Sequence, residues 1–157
     1  MGCDIHEYYE IRRKDVWERV ELLPKLDWET VTEEEKQALY SHPANLNRNY
    51  ALFSIFADVR NTFGIRPIAQ ARGLPADVTA SVRADCEAHA QWGHNTSWLS
   101  LKELLEYDWE QIVLDDDNST NATCREATSP FVEDTLPFLQ SLVADPADLR
   151  LIFWFDN

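Results

Sequence analysis

Acidic residues and a histidine alternate along the first predicted strand, which covers residues 2–12. Because successive side chains of a strand point to opposite faces, Asp4, His6 and Glu10 share one face. Imidazole nitrogen and carboxylate oxygen bind Zn²⁺ and Mn²⁺, and the same groups serve as general acids and bases. The spacing therefore predicts an acid–base site or a divalent metal site with Asp4 and His6 as ligands. The alternative is a hydrogen-bonded polar strand face that orders the sheet.

The last residues, 149–157, also form a predicted strand, which ends in Asp156 and Asn157. Its length, its hydrophobic content and its polar end match those of the first strand. We therefore predict that the two terminal strands are neighbours in one sheet and build one polar site. In this site Asp4, His6 and His94 are the predicted catalytic residues, converging on one ion or ligand.

A second group of charged and polar residues follows the central helical segment, predicted over residues 50–61. Asp58, Arg60 and Asn61 lie at its C-terminal end. A guanidinium group binds phosphate or carboxylate through two parallel hydrogen bonds. We predict that Arg60, Asn61 and Asp156 bind a small anionic ligand. Favourable charge at a helix C-terminus, together with local ion pairs, is the alternative explanation.

Apolar periodicity and capping residues predict the elements that position these groups. Leu52, Ile55 and Phe56 recur at the spacing of one helix face. The other predicted elements are a hairpin turn at 13–15, a strand from Val16 to Leu22, capping boxes at 32–35 and 100–103, a helix from Thr79 to Gln91, a hydrogen-bonding turn at 92–98, a polar loop at 115–123 and a helix after Ser129. The predicted fold is a single α+β domain over residues 1–157. It has a small, mainly antiparallel sheet that includes both terminal strands, with helices packed on one face.

Composition limits the classes of partner. The chain has 157 residues, 45% of them hydrophobic, and a formal net charge of −14. A field of this sign repels nucleic acid, so we expect no direct nucleic-acid binding, while a basic protein partner is compatible with it. No apolar run has the length of a bilayer span, so we expect no membrane association and a cytoplasmic location. The odd number of cysteines, three, favours free thiols.

Two further spacing patterns are weaker. Cys86, His89 and His94 have the spacing of half a zinc site, and a chance arrangement on a helix surface explains them better. The second pattern, Asp115, Asp117, Ser119 and Glu126, follows some positions of an EF-hand loop, but Thr120 replaces the required glycine.

Several segments of the chain resemble those of one family. The opening MGCDIH, the segments LFSIFADVRN, ARGLP and HNTSWLSLKELLEYDW, and the ending RLIFWFDN resemble a family of uncharacterised proteins of bacteriophages and prophages. The resemblance covers most of the chain and is most specific at its two ends. It implies a phage or prophage origin and a place in the cytoplasm of a bacterial host, and it implies no particular chemistry.

Two functional hypotheses follow. The first is a small protein with a polar pocket, with Zn²⁺ or Mn²⁺ as its candidate metal, that acts on or binds a small phosphorylated or nucleotide-like ligand. The second is a non-enzymatic acidic phage effector that binds and inhibits a basic host or defence protein, in the manner of an anti-CRISPR protein. Clustering of the predicted site residues in space would favour the first hypothesis. A continuous acidic face would favour the second.

Overall fold

Both terminal strands belong to one antiparallel sheet. The computed structural model describes residues 2–114 and 122–157. The strands of this part are β1 (Asp4–Arg13), β2 (Val16–Val20), β3 (His94–Ser100) and β4 (Leu149–Asp156), in the spatial order β2-β1-β4-β3. β1 and β4 pair from Asp4 opposite Asp156 to Ile11 opposite Leu149. The predicted α+β class and the pairing of the terminal strands are confirmed.

A tight turn connects β1 to β2. Lys14 and Asp15 have φ angles of 51° and 63°, the left-handed values that a two-residue hairpin turn of the primed type requires at both central positions. This turn sets the register of the hairpin, in which Arg12 lies opposite Trp17 and Tyr9 lies opposite Val20. β2 ends there, two residues before the predicted end at Leu22.

The helices are short, and Thr79 precedes one of them without a side-chain capping hydrogen bond. In the described part they are α1 (Glu33–Tyr40), α2 (Tyr50–Ala57), α3 (Ala80–Ala88), α4 (Leu101–Glu106), α5 (Cys124–Ala127) and α6 (Leu136–Gln140), with a π-helical turn at Phe131–Thr135 and a 3₁₀ turn at Pro146–Asp148. Both predicted capping boxes are confirmed, because Thr32 and Ser100 accept the backbone N–H of Glu35 and Glu103. α2 ends earlier than predicted, since Asp58 adopts the left-handed region with φ 60°.

The main core lies on one face of the sheet. Odd-numbered residues of β4, from Leu149 to Phe155, are fully buried there. Phe53 and Phe56 of α2 pack on Phe155 and Phe153, with ring centroids 5.0 Å and 5.2 Å apart. Because α2 is apolar apart from Ser54 and is buried from Ala51 to Ala57, it forms the centre of this layer.

α3 adds a smaller layer on the opposite face. Val82 of α3 packs against Ile152 and Trp154 of β4, and Tyr8 of β1 covers the edge of this cluster. These sheet residues are even-numbered and therefore share the face of His6. The polar face of β1 is thus partly covered rather than fully open.

The predicted turn at residues 92–98 is wrong, because most of this segment belongs to strand β3. Its polar sequence hides the strand pattern, although Ser97 and Leu99 are buried alternately between more exposed neighbours. Residues 115–121 lie outside the described residues. They include most of the predicted acidic loop and the first three positions of its EF-hand-like spacing. Within the described ranges, no helix combines the length and the apolar character needed to cross a bilayer.

Candidate active site

The paired ends of β1 and β4 bring a histidine and a carboxylate into contact. Nε2 of His6 lies 2.8 Å from Oδ2 of Asp156. His6 is opposite Trp154, so Asp156 is its diagonal neighbour on the same face of the sheet. The two side chains are 32% and 35% exposed, so each is held in place and still accessible to a ligand. Because a carboxylate only accepts hydrogen bonds, Nε2–H of His6 donates, and Nδ1 is the basic nitrogen of the neutral ring.

A second imidazole lies close to this pair. His89 follows the last residue of α3, and its ring centroid is 5.2 Å from that of His6. Nδ1 of His89 lies 2.7 Å from the carbonyl oxygen of Asp85, which fixes Nδ1 as the donor. Trp154 packs beside both imidazoles, with centroid distances of 6.2 Å to His6 and 5.7 Å to His89. The aromatic surroundings restrict the orientation of the His6 ring.

A cavity of about 190 Å³ opens next to His6. It forms because β2 stops opposite Tyr9, which leaves the first half of β1 without a strand partner on that side. The cavity is lined by residues 5–9 of β1, including His6 and Glu7, and by residues 19–23. Since the cavity lies at the edge of the strand, side chains from both faces of β1 line it.

Glu7 is a further titratable residue that lines this cavity. Burial raises the pKa of Glu7, and the hydrogen bond that its Oε1 accepts from the backbone N–H of Leu46, at 3.2 Å, opposes the rise only partly. With a raised pKa, Glu7 holds its proton to higher pH than an ordinary glutamate does, and the protonated carboxyl is a proton donor. A donor and an oriented imidazole at one cavity form the usual arrangement for general acid–base chemistry.

The cationic group of the cavity is already neutralised. Arg19 contacts Asp85 and Glu21, each at 2.9 Å, and its guanidinium lies 4.9 Å from the ring centroid of Tyr8. Burial, with a smaller contribution from Asp85, raises the pKa of Tyr8 to about 12, so its hydroxyl remains protonated at neutral pH. An anionic ligand group in this cavity would have to compete with Asp85 or Glu21 for Arg19.

Asp4 is directed away from His6 and towards Arg48. Its two carboxylate oxygens accept from Nε and Nη2 of Arg48 at 2.8 Å and 2.7 Å. This two-point pair lowers the pKa of Asp4. In the structure Asp4 therefore anchors the segment before α2, and it contacts neither His6 nor Asp156 through the hydrogen bonds described.

The predicted ligand-binding residues have different surroundings. Arg60 donates from Nη2 to Oδ1 of Asn157 at 3.0 Å, so it reaches the residue that follows Asp156. Asn61 instead shapes its own loop, because its amide donates to Asp58 and to the carbonyl of Ile65, both at 2.7 Å. Oδ1 of Asn61 also accepts from the backbone N–H of Ile65 at 3.2 Å.

His94 lies on the other face of the sheet from His6. A bulge between His94 and Ser97, with φ 53° at Asn95, shifts the register of β3 by one residue. His94 therefore lies opposite Phe155 on the main-core side, and the two rings are stacked at 6.0 Å. The expected convergence of His94 with Asp4 and His6 on one ion or ligand is not found, because the sheet itself separates them.

The described residues include no group of three or more His, Cys, Asp and Glu side chains placed to hold a metal ion. The two predicted ligands are directed to different partners, Asp4 to Arg48 and His6 to Asp156. The donor set that a structural or catalytic zinc site requires is therefore not assembled around them in this part of the chain.

Sequence reasoning missed several residues around the site. Glu7 was overlooked because strand alternation assigns it to the opposite face, and only the end of β2 makes both faces accessible at the edge. His89 was not assigned to the site because its helix packs on the sheet through tertiary contacts. The pairing of Glu10 with Arg150 could have been predicted from the sequence. In an antiparallel pair with Asp4 opposite Asp156, Glu10 lies opposite Arg150.

Comparison with known proteins identifies no matching family model, no matching curated protein and no matching solved structure. The resemblance to a phage and prophage family therefore remains a prediction.

Proposed function

We propose that this protein binds a small ligand in the cavity beside His6 and carries out acid–base chemistry on it. The observation that supports this proposal is the 2.8 Å contact between His6 and Asp156 at a cavity that Glu7 also lines. In this mechanism Asp156 orients the imidazole, Nδ1 of His6 takes a proton, and the protonated carboxyl of Glu7 supplies one. No metal ion is needed for these steps.

The size of the cavity restricts what enters it. Its volume of about 190 Å³ is below the roughly 300 Å³ at which pockets for whole ligands begin. We therefore propose that only the reacting group of the ligand enters and that the remainder lies on the surface. We still predict a phosphorylated or nucleotide-like ligand. Its phosphoryl group would have to compete with Glu21 and Asp85 for Arg19.

A panel of substrates tests the proposal. The purified chain is assayed with p-nitrophenyl phosphate, p-nitrophenyl acetate and nucleoside mono- and triphosphates. His6→Gln is expected to lower the rate on an active substrate by at least about 100-fold, the lower range for general acid–base catalysis. Asp156→Asn should have a smaller effect, because it misorients the base without removing it. Glu18→Gln, at an exposed ion pair with Arg13, is the matched control and should leave the rate unchanged.

Equal rates in wild type and His6→Gln would contradict the assignment of His6. The absence of turnover by the wild type across the panel would count against catalysis and in favour of the binding hypothesis below. If the wild type hydrolyses p-nitrophenyl acetate but none of the phosphorylated substrates, the ligand class lies outside phosphorylated compounds.

A second candidate function, an acidic protein that binds a basic host or defence protein, is supported by α1 and the segment before it. None of the residues of α1 is buried, and its first turn carries three glutamates. Trp28 and Tyr40 are 61% and 52% exposed at either end of this region. Exposed aromatic side chains beside an acidic helix favour contact with a basic protein surface.

Salt dependence and charge reversal test this second function. A basic partner isolated from host extract should bind the purified chain less tightly as salt rises, because exposed charges are screened over about 8 Å at physiological ionic strength. The variant Glu33→Lys with Glu34→Lys should abolish capture, whereas His6→Gln should not. If His6→Gln abolishes capture and the charge reversal leaves it intact, the partner binds at the His6 cavity and not at the acidic helix.

A further inference from the structure

A second cavity lies further along the same sheet face, away from His6. Its volume is about 420 Å³, within the range of small-molecule sites. Trp17 of β2 and Trp98 of β3 line it, and Arg150 of β4 lies at its base. Tyr8 and Ile152 lie between it and His6 along the strands.

The base of this cavity is a firmly held guanidinium. Arg150 is 4% exposed in its side chain and contacts the fully buried carboxylate of Glu10 at 2.7 Å and 2.8 Å. Its Nη1 donates to Oδ1 of Asp77 at 2.7 Å. Oε2 of Glu10 also accepts the backbone N–H of Thr79 at 2.9 Å, which fixes the carboxylate. A charged group that is buried and held by several partners forms a rigid wall.

The two tryptophans provide flat apolar surfaces on either side. The guanidinium of Arg150 lies 3.9 Å from the ring centroid of Trp17 and 6.0 Å from that of Trp98. Arg12 and Arg72 lie 5.3 Å and 5.0 Å from the same two rings. Guanidinium planes and indole rings both favour stacking with a further planar ring.

Charge excludes two classes of ligand from this cavity. Its two cations are already paired, Arg12 with Asp148 and Arg150 with Glu10 and Asp77, so an anionic group would have to compete with these carboxylates. A phosphate or carboxylate group is therefore not favoured. A cationic ligand is not favoured either, because the guanidinium groups of Arg12 and Arg150 line the cavity and would repel it.

The exposed carboxylate of Asp77 adds a hydrogen-bond acceptor at the rim. Its side chain is 66% exposed, and the hydrogen bond from Arg150 lowers its pKa, so it remains ionised at neutral pH. An ionised carboxylate accepts from amino groups and cannot donate to carbonyl oxygens. A ring that carries an amino group is thus preferred over the same ring with an oxo group.

We infer that the cavity between Trp17 and Trp98 binds an uncharged planar heterocycle that carries an amino group, of the class of adenine or cytosine. The ring stacks beside the tryptophans, and its amino group donates to Asp77. This site shares no lining residue with the His6 cavity, so it does not depend on the proposed acid–base chemistry.

Calorimetric titration of the full chain with adenosine, inosine and AMP tests the inference. Adenosine should bind saturably and at least about tenfold more tightly than inosine, as expected for discrimination by a directed hydrogen bond. AMP should bind less tightly than adenosine, because Arg12 and Arg150 are already paired with carboxylates and Asp77 repels the phosphate group. Asp77→Asn should reduce the preference for adenosine over inosine to within about twofold.

Three variants locate the site. Trp17→Leu should weaken adenosine binding at least about fivefold, the lower end of the contribution of a stacked base. Trp28→Leu, at an exposed tryptophan outside the cavity, is the matched control and should leave it unchanged. Ala76→Phe fills the cavity from an exposed position, which preserves the fold, and should abolish binding.

Any of three results would overturn the inference: no saturable binding of adenosine, tighter binding of AMP than of adenosine, or binding that survives Ala76→Phe. His6→Gln is expected to leave adenosine binding intact. Loss of catalysis in that variant with retained adenosine binding would show that the two sites are separate, so that each proposal can fail alone.

Discussion

At the scale of single residues, the carboxyl of Glu7 combines a structural cost with a proposed role. Burial raises its pKa above the ordinary glutamate value of 4.5, so the folded state binds the proton more readily than the unfolded chain does. At neutral pH folding must therefore either bury the charged form or take up a proton, and both lower the free energy of unfolding. This penalty disappears as pH falls through the raised pKa towards the ordinary value.

Glu7→Gln is accordingly expected to stabilise the protein at pH 7, because the amide oxygen can still accept from Leu46 without carrying a charge. The gain should shrink as pH falls through the raised pKa, and it should reach its limit below about 4.5. Urea unfolding at pH 7 and pH 4 measures it, with Glu34→Gln as an exposed control. A variant that is less stable than wild type at both pH values would show that Glu7 is charged and favourably paired.

The pair of Arg150 and Glu10 is the second residue-scale case, because both side chains are almost completely buried. Arg150→Met leaves the Glu10 carboxylate buried without its cation and should reduce the free energy of unfolding by about 3–5 kcal/mol. Glu10→Gln with Arg150→Met removes both charges and keeps an acceptor for the backbone N–H of Thr79, so it should recover a large part of the loss.

Equilibrium unfolding in urea checks these values. Arg13→Met at the exposed pair with Glu18 is the control and should change stability by less than about 1 kcal/mol. A loss equally small in Arg150→Met would mean that solvent reaches the pair. A double variant no better than the single one would assign the loss to packing of Arg150 on Trp17 rather than to charge.

At the scale of elements, the β1–β2 hairpin is connected by a turn in which lysine is poorly suited to its conformation. Lys14 and Asp15 both have positive φ angles. Such an angle costs an ordinary L-residue such as lysine roughly 1–2 kcal/mol, whereas aspartate tolerates it better. Asn and Gly adopt these angles readily and are the preferred pair for this turn.

Lys14→Asn with Asp15→Gly should therefore raise the free energy of unfolding by about 1 kcal/mol, with no effect on either cavity. Thermal unfolding followed by circular dichroism measures the change. Lys14→Ala is the comparison, since alanine removes the charge and retains the strain. If Lys14→Ala stabilises the protein as much as the double variant does, the effect comes from the charge of Lys14 and not from the backbone conformation.

At the scale of the whole molecule, two electrostatic effects have opposite dependence on pH. The net charge is −14 at neutral pH, so the carboxylates repel one another, and this repulsion declines as pH falls towards the sequence pI of about 4.5. Asp4, Asp58 and Asp77 have pKa values below the ordinary 3.8, because side-chain hydrogen bonds from Arg48, Asn61 and Arg150 respectively favour their charged forms. The stability that they contribute is present above the ordinary value and is lost as pH falls through the lowered values.

The melting temperature should therefore rise as pH falls from 8 towards about 5, and then decline below about 4. At pH 8 added salt should raise it, because screening weakens the repulsion among exposed carboxylates. Differential scanning calorimetry from pH 3 to 8, at low and at high salt, tests both expectations. A melting temperature that is independent of salt at pH 8 would show that the acidic groups are locally compensated.

Local patterns in the sequence were sufficient for part of the fold. The alternating polar residues of 2–12 predicted β1, the hydrophobic content of 149–157 predicted β4, and the spacing of serine or threonine from glutamate predicted the capping boxes at Thr32 and Ser100. Matched strands at the two ends led to the correct pairing, which places His6 beside Asp156. These results need only geometry within an element or between two strands in register.

Tertiary structure alone decided the rest. The bulge at Asn95 moved His94 to the main-core face, and the early end of β2 opened the cavity that joins His6 and Glu7. Trp17 and Trp98 belong to opposite edge strands and approach Arg150 only because β1 and β4 lie between those strands. A bulge, a strand end and a sheet order depend on contacts between distant residues, so no local spacing in the chain encodes them.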